Sequence, residues 1–183
     1  MQYIKLNEEV TLSRIVQGLM RVKSWNYTVD ELIEFMEECI SLGVTTFDTA
    51  EIYGNYEGES IIGEALRKKP SLRDKIQIVT KTGINMKSNK NDFRIGHYDT
   101  RYDKIINSCK TSIENLNCGY IDLYLIHRED PLIDHHEVAR ALNYLKDNGY
   151  IKAYGVSNFD PFKMDALMFA TNNQLVTNQI ELH

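Results

Sequence analysis

The chain has 183 residues, 43% of them hydrophobic and 10% aromatic, which suits one domain around a single sizeable core and is too short for two full ones. Its 21 basic and 26 acidic side chains leave a formal net charge of -5, which excludes the electrostatic footprint needed to wrap nucleic acid or hold an anionic membrane. With 10 Gly and only 3 Pro the composition is globular; Cys39, Cys109 and Cys118 fit no metal or redox spacing and read as core residues of a reducing compartment. The N-terminus lacks an apolar run of signal-peptide length, and no uncharged stretch of about 18 residues could span a bilayer, so a cytoplasmic protein is expected.

In chain order, residues 3–6 and 10–12 form a short hairpin around Asn7-Glu8. A strand is predicted at 15–18. Thr28 with Glu31 makes a capping box before Leu32, Ile33, Phe35, Met36 and Ile40, an apolar face at helical spacing that stops at Gly43. Next come a strand at 44–47, a helix over about 59–69 that ends at Pro70, and a strand at 76–80. Residues 87–97 carry no readable motif. A helix over about 103–117 buries Ile105, Ile106, Cys109, Ile113 and Leu116, and a strand follows at 121–126. A helix over about 135–148 buries Val138, Leu142 and Leu145; it is followed by a strand at 152–156, a helix opened by Asp160 as cap with Pro161 at its first position, and a strand at 176–180.

The regular alternation predicts an α/β fold with a parallel sheet. Six strand–helix units fall about two short of a closed eight-stranded barrel of roughly 250 residues, leaving either an open doubly wound sheet or the front portion of such a barrel. In both, ligands sit at the carboxyl ends of the strands. There the sequence places Asp48, then Lys81, His127, Ser157 with Asn158, and Gln179 with Glu181. Ionisable or amide side chains thus follow five consecutive strands, more than a solvated rim requires.

Their types suggest chemistry. Lys81 and Asp48 make sense buried only as a pair. Tyr53, one of 11 tyrosines, lies in the loop that leaves the Asp48 strand, where a neighbouring ammonium would lower its pKa and make it a usable proton donor. His127 could hold or protonate the same oxygen. His135-His136 opens a polar helix start without a third ligand at a sensible spacing, so no metal site is expected.

These residues sit in segments that resemble the aldo-keto reductase family, in its bacterial NADP-dependent oxidoreductase branch: FDTAEIYGNYEGESIIGEAL (47–66), VTKTGI (79–84), IDLYLIHR (121–128), IKAYGVSNFDP (151–161) and LVTNQIELH (175–183). The resemblance implies a parallel (β/α)8 barrel of the TIM type, of which this chain covers about the first six units plus an N-terminal hairpin at the base. It implies that Asp48, Tyr53, Lys81 and His127 are catalytic; that Met20, Arg21, Asp48, Ser157, Asn158 and Gln179 bind NADP(H); and that Trp25, Tyr53 and His127 face a small-molecule carbonyl substrate. On this reading the chain stops at His183, before the last two strands and the loop that selects NADP over NAD, and the open edges at 15–18 and 176–180 favour self-association. A non-catalytic barrel fragment acting as a binding module, and a lyase using Lys81 as a Schiff-base nucleophile, are the alternatives.

Overall fold

The computed structural model describes residues 1–181; Leu182 and His183, the last two residues of the fifth matching segment, lie outside them. The elements run β1 (Tyr3–Lys5), β2 (Thr11–Ser13), β3 (Val16–Gly18), α1 (Val29–Ser41), β4 (Thr46–Asp48), a single irregular turn α2 (Tyr53–Tyr56), and α3 (Gly58–Lys68). They continue with β5 (Gln77–Thr82), β6 (Ile84–Asn85), β7 (His97–Tyr98), α4 (Tyr102–Leu116), β8 (Ile121–Ile126), α5 (His135–Asp147), β9 (Ile151–Ser157), α6 (Pro161–Ala170) and β10 (Asn178–Gln179).

Local chemistry accounts for the boundaries. The Thr28 side chain accepts from the Glu31 amide while the Glu31 carboxylate accepts from the Thr28 amide, so the capping box forms as expected. Asp134 caps α5 and Asp160 caps α6, each accepting from backbone amides of the first turn. The Asn117 backbone turns left-handed to end α4. Among the described residues no helix is long and apolar enough to cross a membrane.

Six strands form one parallel sheet in the order β10-β9-β8-β5-β4-β3, with helices between successive strands. Of the two architectures the alternation left open this is the front of a barrel, a curled half-barrel as the family resemblance implied, and β3 and β10 are its edges. Alternation along the strands sorts the core into two layers. Val79, Leu123, Leu125 and Ala153 form the inner layer, closed from below by Leu6, Val10 and Leu12 of the β1–β2 hairpin. Ile78, Tyr124, Ile126, Tyr154 and Val156 form the outer layer against the helices. Lys81 and His127 continue the inner rows by two residues and Ser157 by four, which is why they reach the top of the half-barrel rather than the helix layer.

The hairpin is locked to the sheet by Ser13, whose amide donates to Thr46 Oγ1 at 2.9 Å and whose hydroxyl accepts from the Thr46 amide at 3.0 Å. Helix packing is closest at Gly63, where an added Cβ would lie 1.9 Å from the Asn115 carbonyl oxygen of α4.

Two expectations are corrected. The β6–β7 hairpin, pairing Ile84 with Tyr98 and Asn85 with His97, was not expected and brackets the stretch 87–97 that carried no readable motif. Its strands are two residues each, too short for an alternating pattern, and it is held from outside by Tyr56, whose hydroxyl accepts from the Met86 amide at 2.7 Å. The sixth strand of the sheet is the short pair Asn178–Gln179, although the chain already follows β9 from residue 176, where the Val176 amide donates to the Tyr154 carbonyl at 3.0 Å and the Val156 amide to the Thr177 carbonyl at 3.0 Å.

Candidate active site

The strand register brings the expected residues to one rim: Gly18 pairs with Asp48, Lys81 with Leu125, Ile126 with Val156, and Ser157 with Gln179. A cleft of about 300 Å³ opens there, lined by Asp48, Tyr53, Lys81, His127, Arg128, Ser157, Asn158, Gln179, Ile180 and Glu181.

At its floor, Lys81 is 2% exposed and its Nζ donates to Asp48 Oδ1 at 2.6 Å and to the Thr49 carbonyl at 2.8 Å. The other Asp48 oxygen accepts from Gln179 Nε2 at 3.1 Å, so β4, β5 and β10 are tied together through one carboxylate. Burial holds the Lys81 ammonium below its ordinary pKa, and the Asp48 charge opposes that shift. A buried ammonium with a carboxylate at bonding distance is a paired charge.

Tyr53 reaches over this pair. Its ring lies 5.2 Å from Lys81 Nζ, and its hydroxyl oxygen is 3.5 Å from His127 Nε2. The turn that carries it is sharp: Gly54, Asn55 and Tyr56 all have positive φ, a conformation Gly and Asn adopt at low cost. The expected lowering of the Tyr53 pKa is not found. Burial, aided by the Asp48 carboxylate, pushes the phenol up to about 12, with Arg128 opposing. The ammonium lies over the ring at 5.2 Å and is already engaged by Asp48. Tyr53 is therefore a fully protonated phenol at neutral pH.

His127 is 8% exposed, and burial together with the Lys81 and Arg128 charges lowers its pKa to about 3, so the imidazole is neutral at neutral pH. Among the described residues its Nδ1 is buried without a hydrogen-bond partner. The tautomer with hydrogen on Nε2 leaves only a lone pair unsatisfied at Nδ1, and it aims an N–H at the Tyr53 oxygen and the cleft. An O–H and an N–H thus converge where a single oxygen could accept from both, the arrangement that stabilises charge developing on that oxygen.

The far wall is made of amide and hydroxyl groups. Asn158, with φ 53, donates through Nδ2 to Ser157 Oγ at 3.0 Å and accepts at Oδ1 from the Glu181 amide at 2.9 Å. Ser157, Asn158 and Gln179 all line the cleft, so this wall presents hydroxyl and amide groups, the donor and acceptor types that pair with a carboxamide.

Not every expected residue joins the cleft. Met20 (52% exposed) and Arg21 follow β3 at the same edge of the sheet without lining the cleft. Trp25 packs edge-on against Phe35 at 5.3 Å and beside Tyr27 at 5.6 Å, an aromatic cluster on the helix side. Two residues escaped notice in the sequence: Arg128, exposed at the cleft mouth directly after His127, and Glu51, an acid inside the Asp48–Tyr53 loop. Their signal was adjacency to residues already singled out.

Residues 14–183 match the model of the aldo/keto reductase family. The chain is 45% identical over its whole length to the uncharacterized oxidoreductase YcsN of Bacillus subtilis, covering 61% of that protein. It is 44% identical to a 6-dehydroglucose reductase of Agrobacterium fabrum, covering 62% of it. The structure of the glycerol dehydrogenase AKR11B4 from Gluconobacter oxydans superimposes on 98% of this chain, and on 55% of its own, with a TM-score of 0.83 at 31% identity. The chain thus spans about three-fifths of the length of the curated relatives it matches. It belongs to the aldo/keto reductase family.

Proposed function

We propose that this chain carries the catalytic end of an oxidoreductase that moves a hydride between NADP(H) and the carbonyl carbon of a small aldehyde or ketone, or between the alcohol and the oxidised cofactor in reverse. The observation that carries this reading is the convergence of Tyr53, His127, Lys81 and Asp48 on one cleft, in a member of the aldo/keto reductase family. The names of the relatives, which include a 6-dehydroglucose reductase, favour carbonyl compounds as the substrate class.

The cleft fits a nicotinamide. Ser157, Asn158 and Gln179 would hold its carboxamide through their hydroxyl and amide groups, with Met20, Arg21 and Asp48 towards the ribose. When bound, the cofactor supplies or accepts the hydride. The chain's own residues do the rest. The Tyr53 O–H and the His127 Nε2–H grip the carbonyl oxygen, orient its carbon and disperse the charge that grows on the oxygen. Tyr53 gives its proton to that oxygen as the alcohol forms; raised to about 12, the phenol is fully protonated at rest but a weaker acid than usual, so the transfer depends on support for the phenolate it leaves. Lys81, 5.2 Å from the ring, stabilises the phenolate left behind, and Asp48 keeps Lys81 charged.

The test follows NADPH oxidation by the purified chain against a panel of aldehydes and ketones, with cofactor binding read from quenching of Trp25 fluorescence. Tyr53→Phe is expected to lower turnover by about 10²- to 10⁴-fold with cofactor affinity retained. Turnover that survives the substitution, or affinity that vanishes with it, would remove Tyr53 from the role of proton donor.

A further inference from the structure

Tyr53 is useful only if its loop holds the phenol against Lys81 and His127, and the structure shows what holds it. Between Asp48 and Tyr53 the chain has left the sheet, keeping two backbone contacts to β5: the Thr49 amide donates to the Val79 carbonyl at 2.8 Å and the Glu51 amide to the Lys81 carbonyl at 3.2 Å. The Glu51 side chain adds three more. One carboxylate oxygen accepts from Thr82 Oγ1 at 3.1 Å and from the Gly83 amide at 3.2 Å; the other pairs with Lys104 of α4 at 3.1 Å. The Glu51 side chain is 10% exposed and that of Lys104 is 21% exposed, so solvent screens this pair little. The contacts beyond Tyr53, from Tyr56 and Asn55 to residues 86–89, are exposed and correspondingly weak.

We infer that Glu51 is a positioning residue: its carboxylate latches residues 49–53 to the strand that carries Lys81 and to α4, and so fixes the Tyr53 phenol in the cleft. The catalytic consequence rests on the hydride-transfer reading, whereas the latch can be measured without it. Gly83 strengthens the assignment, because its amide is aimed at Glu51 by a φ of +103 that other residues rarely adopt.

Hydrogen–deuterium exchange on the whole chain, read in peptides covering residues 49–57 and 121–126, tests the latch. Glu51→Ala is expected to speed exchange in 49–57 by about tenfold or more, as loss of bonds to a charged acceptor implies, while 121–126 stays protected. Glu51→Gln keeps an oxygen for Thr82 and Gly83 and is expected to stay within about threefold of the wild type. Thr82→Val, which removes one donor from the opposite side with little change of shape, is expected to loosen the same peptide and serves if Glu51→Ala fails to fold. In steady-state assays Glu51→Ala should lower kcat by about a hundredfold with little change in KM, since the fault is misplacement of the phenol. Unchanged exchange at 49–57, or acceleration spread equally over 121–126, would overturn the latch, and a raised KM at unchanged kcat would overturn the positioning role. A wild-type chain that oxidises no NADPH would overturn the hydride-transfer reading, and the exchange pattern would still decide the latch.

Discussion

Replacing Glu59 by glutamine should make the protein more stable, and only at neutral to alkaline pH. Glu59 stands in α3 at 2% exposure, and Thr80 Oγ1, on the strand that carries Lys81, donates to its Oε1 at 2.6 Å. Burial raises its pKa to about 7 from the ordinary 4.5, against the hydrogen bond from Thr80, with the Glu51 charge adding to the rise. A carboxyl whose folded pKa lies above its unfolded one contributes stability that is fully present below pH 4.5 and is lost as the pH climbs through 7. At about 1.4 kcal/mol per unit the loss approaches about 3 kcal/mol. Glutamine keeps the oxygen that Thr80 bonds and has no proton to lose. Urea unfolding of both proteins should therefore give nearly equal stabilities at about pH 4 and a gap of up to about 3 kcal/mol in favour of Glu59→Gln at about pH 8. In melting temperature the gap at the higher pH is about 6–12 °C for a chain of this size. A gap independent of pH, or a variant less stable than the wild type at pH 8, would show that Glu59 is not held as a neutral acid.

Lys81→Met leaves the Asp48 carboxylate facing only Gln179, and should cost about 3 kcal/mol in chemical denaturation as well as most of the turnover. Adding Asp48→Asn should recover most of the stability and none of the activity; simple additivity of the two substitutions would contradict a coupled pair. Gly63→Ala pushes a methyl to 1.9 Å from the Asn115 carbonyl oxygen and should destabilise by about 3 kcal/mol, whereas Gly18→Ala, with nothing within 4 Å, should stay within about 0.5 kcal/mol in the same assay.

Much of the fold was legible because its signals are local. The Thr28 and Glu31 capping box, the Asp160-Pro161 helix start and the apolar runs of 121–126 and 152–156 act through neighbours in the chain, and each element formed within a few residues of its expected place. The β6–β7 hairpin left no trace, since two-residue strands held by a distant tyrosine carry no period.

The same division runs through the site. From the sequence alone come the parallel strand–helix order and, with it, the rim where Asp48, Lys81, His127, Ser157 and Gln179 must emerge, because strand ends follow from chain periodicity. Proton affinities could not be read that way. A neighbouring lysine suggested an acidic Tyr53, but the pKa depends on which face of the ring the ammonium meets, which carboxylate has already engaged it and how much water remains. Those are distances across the sheet. Only the tertiary structure, by burying the phenol and the imidazole together, decided that both are neutral at neutral pH with their polar atoms 3.5 Å apart at one cleft.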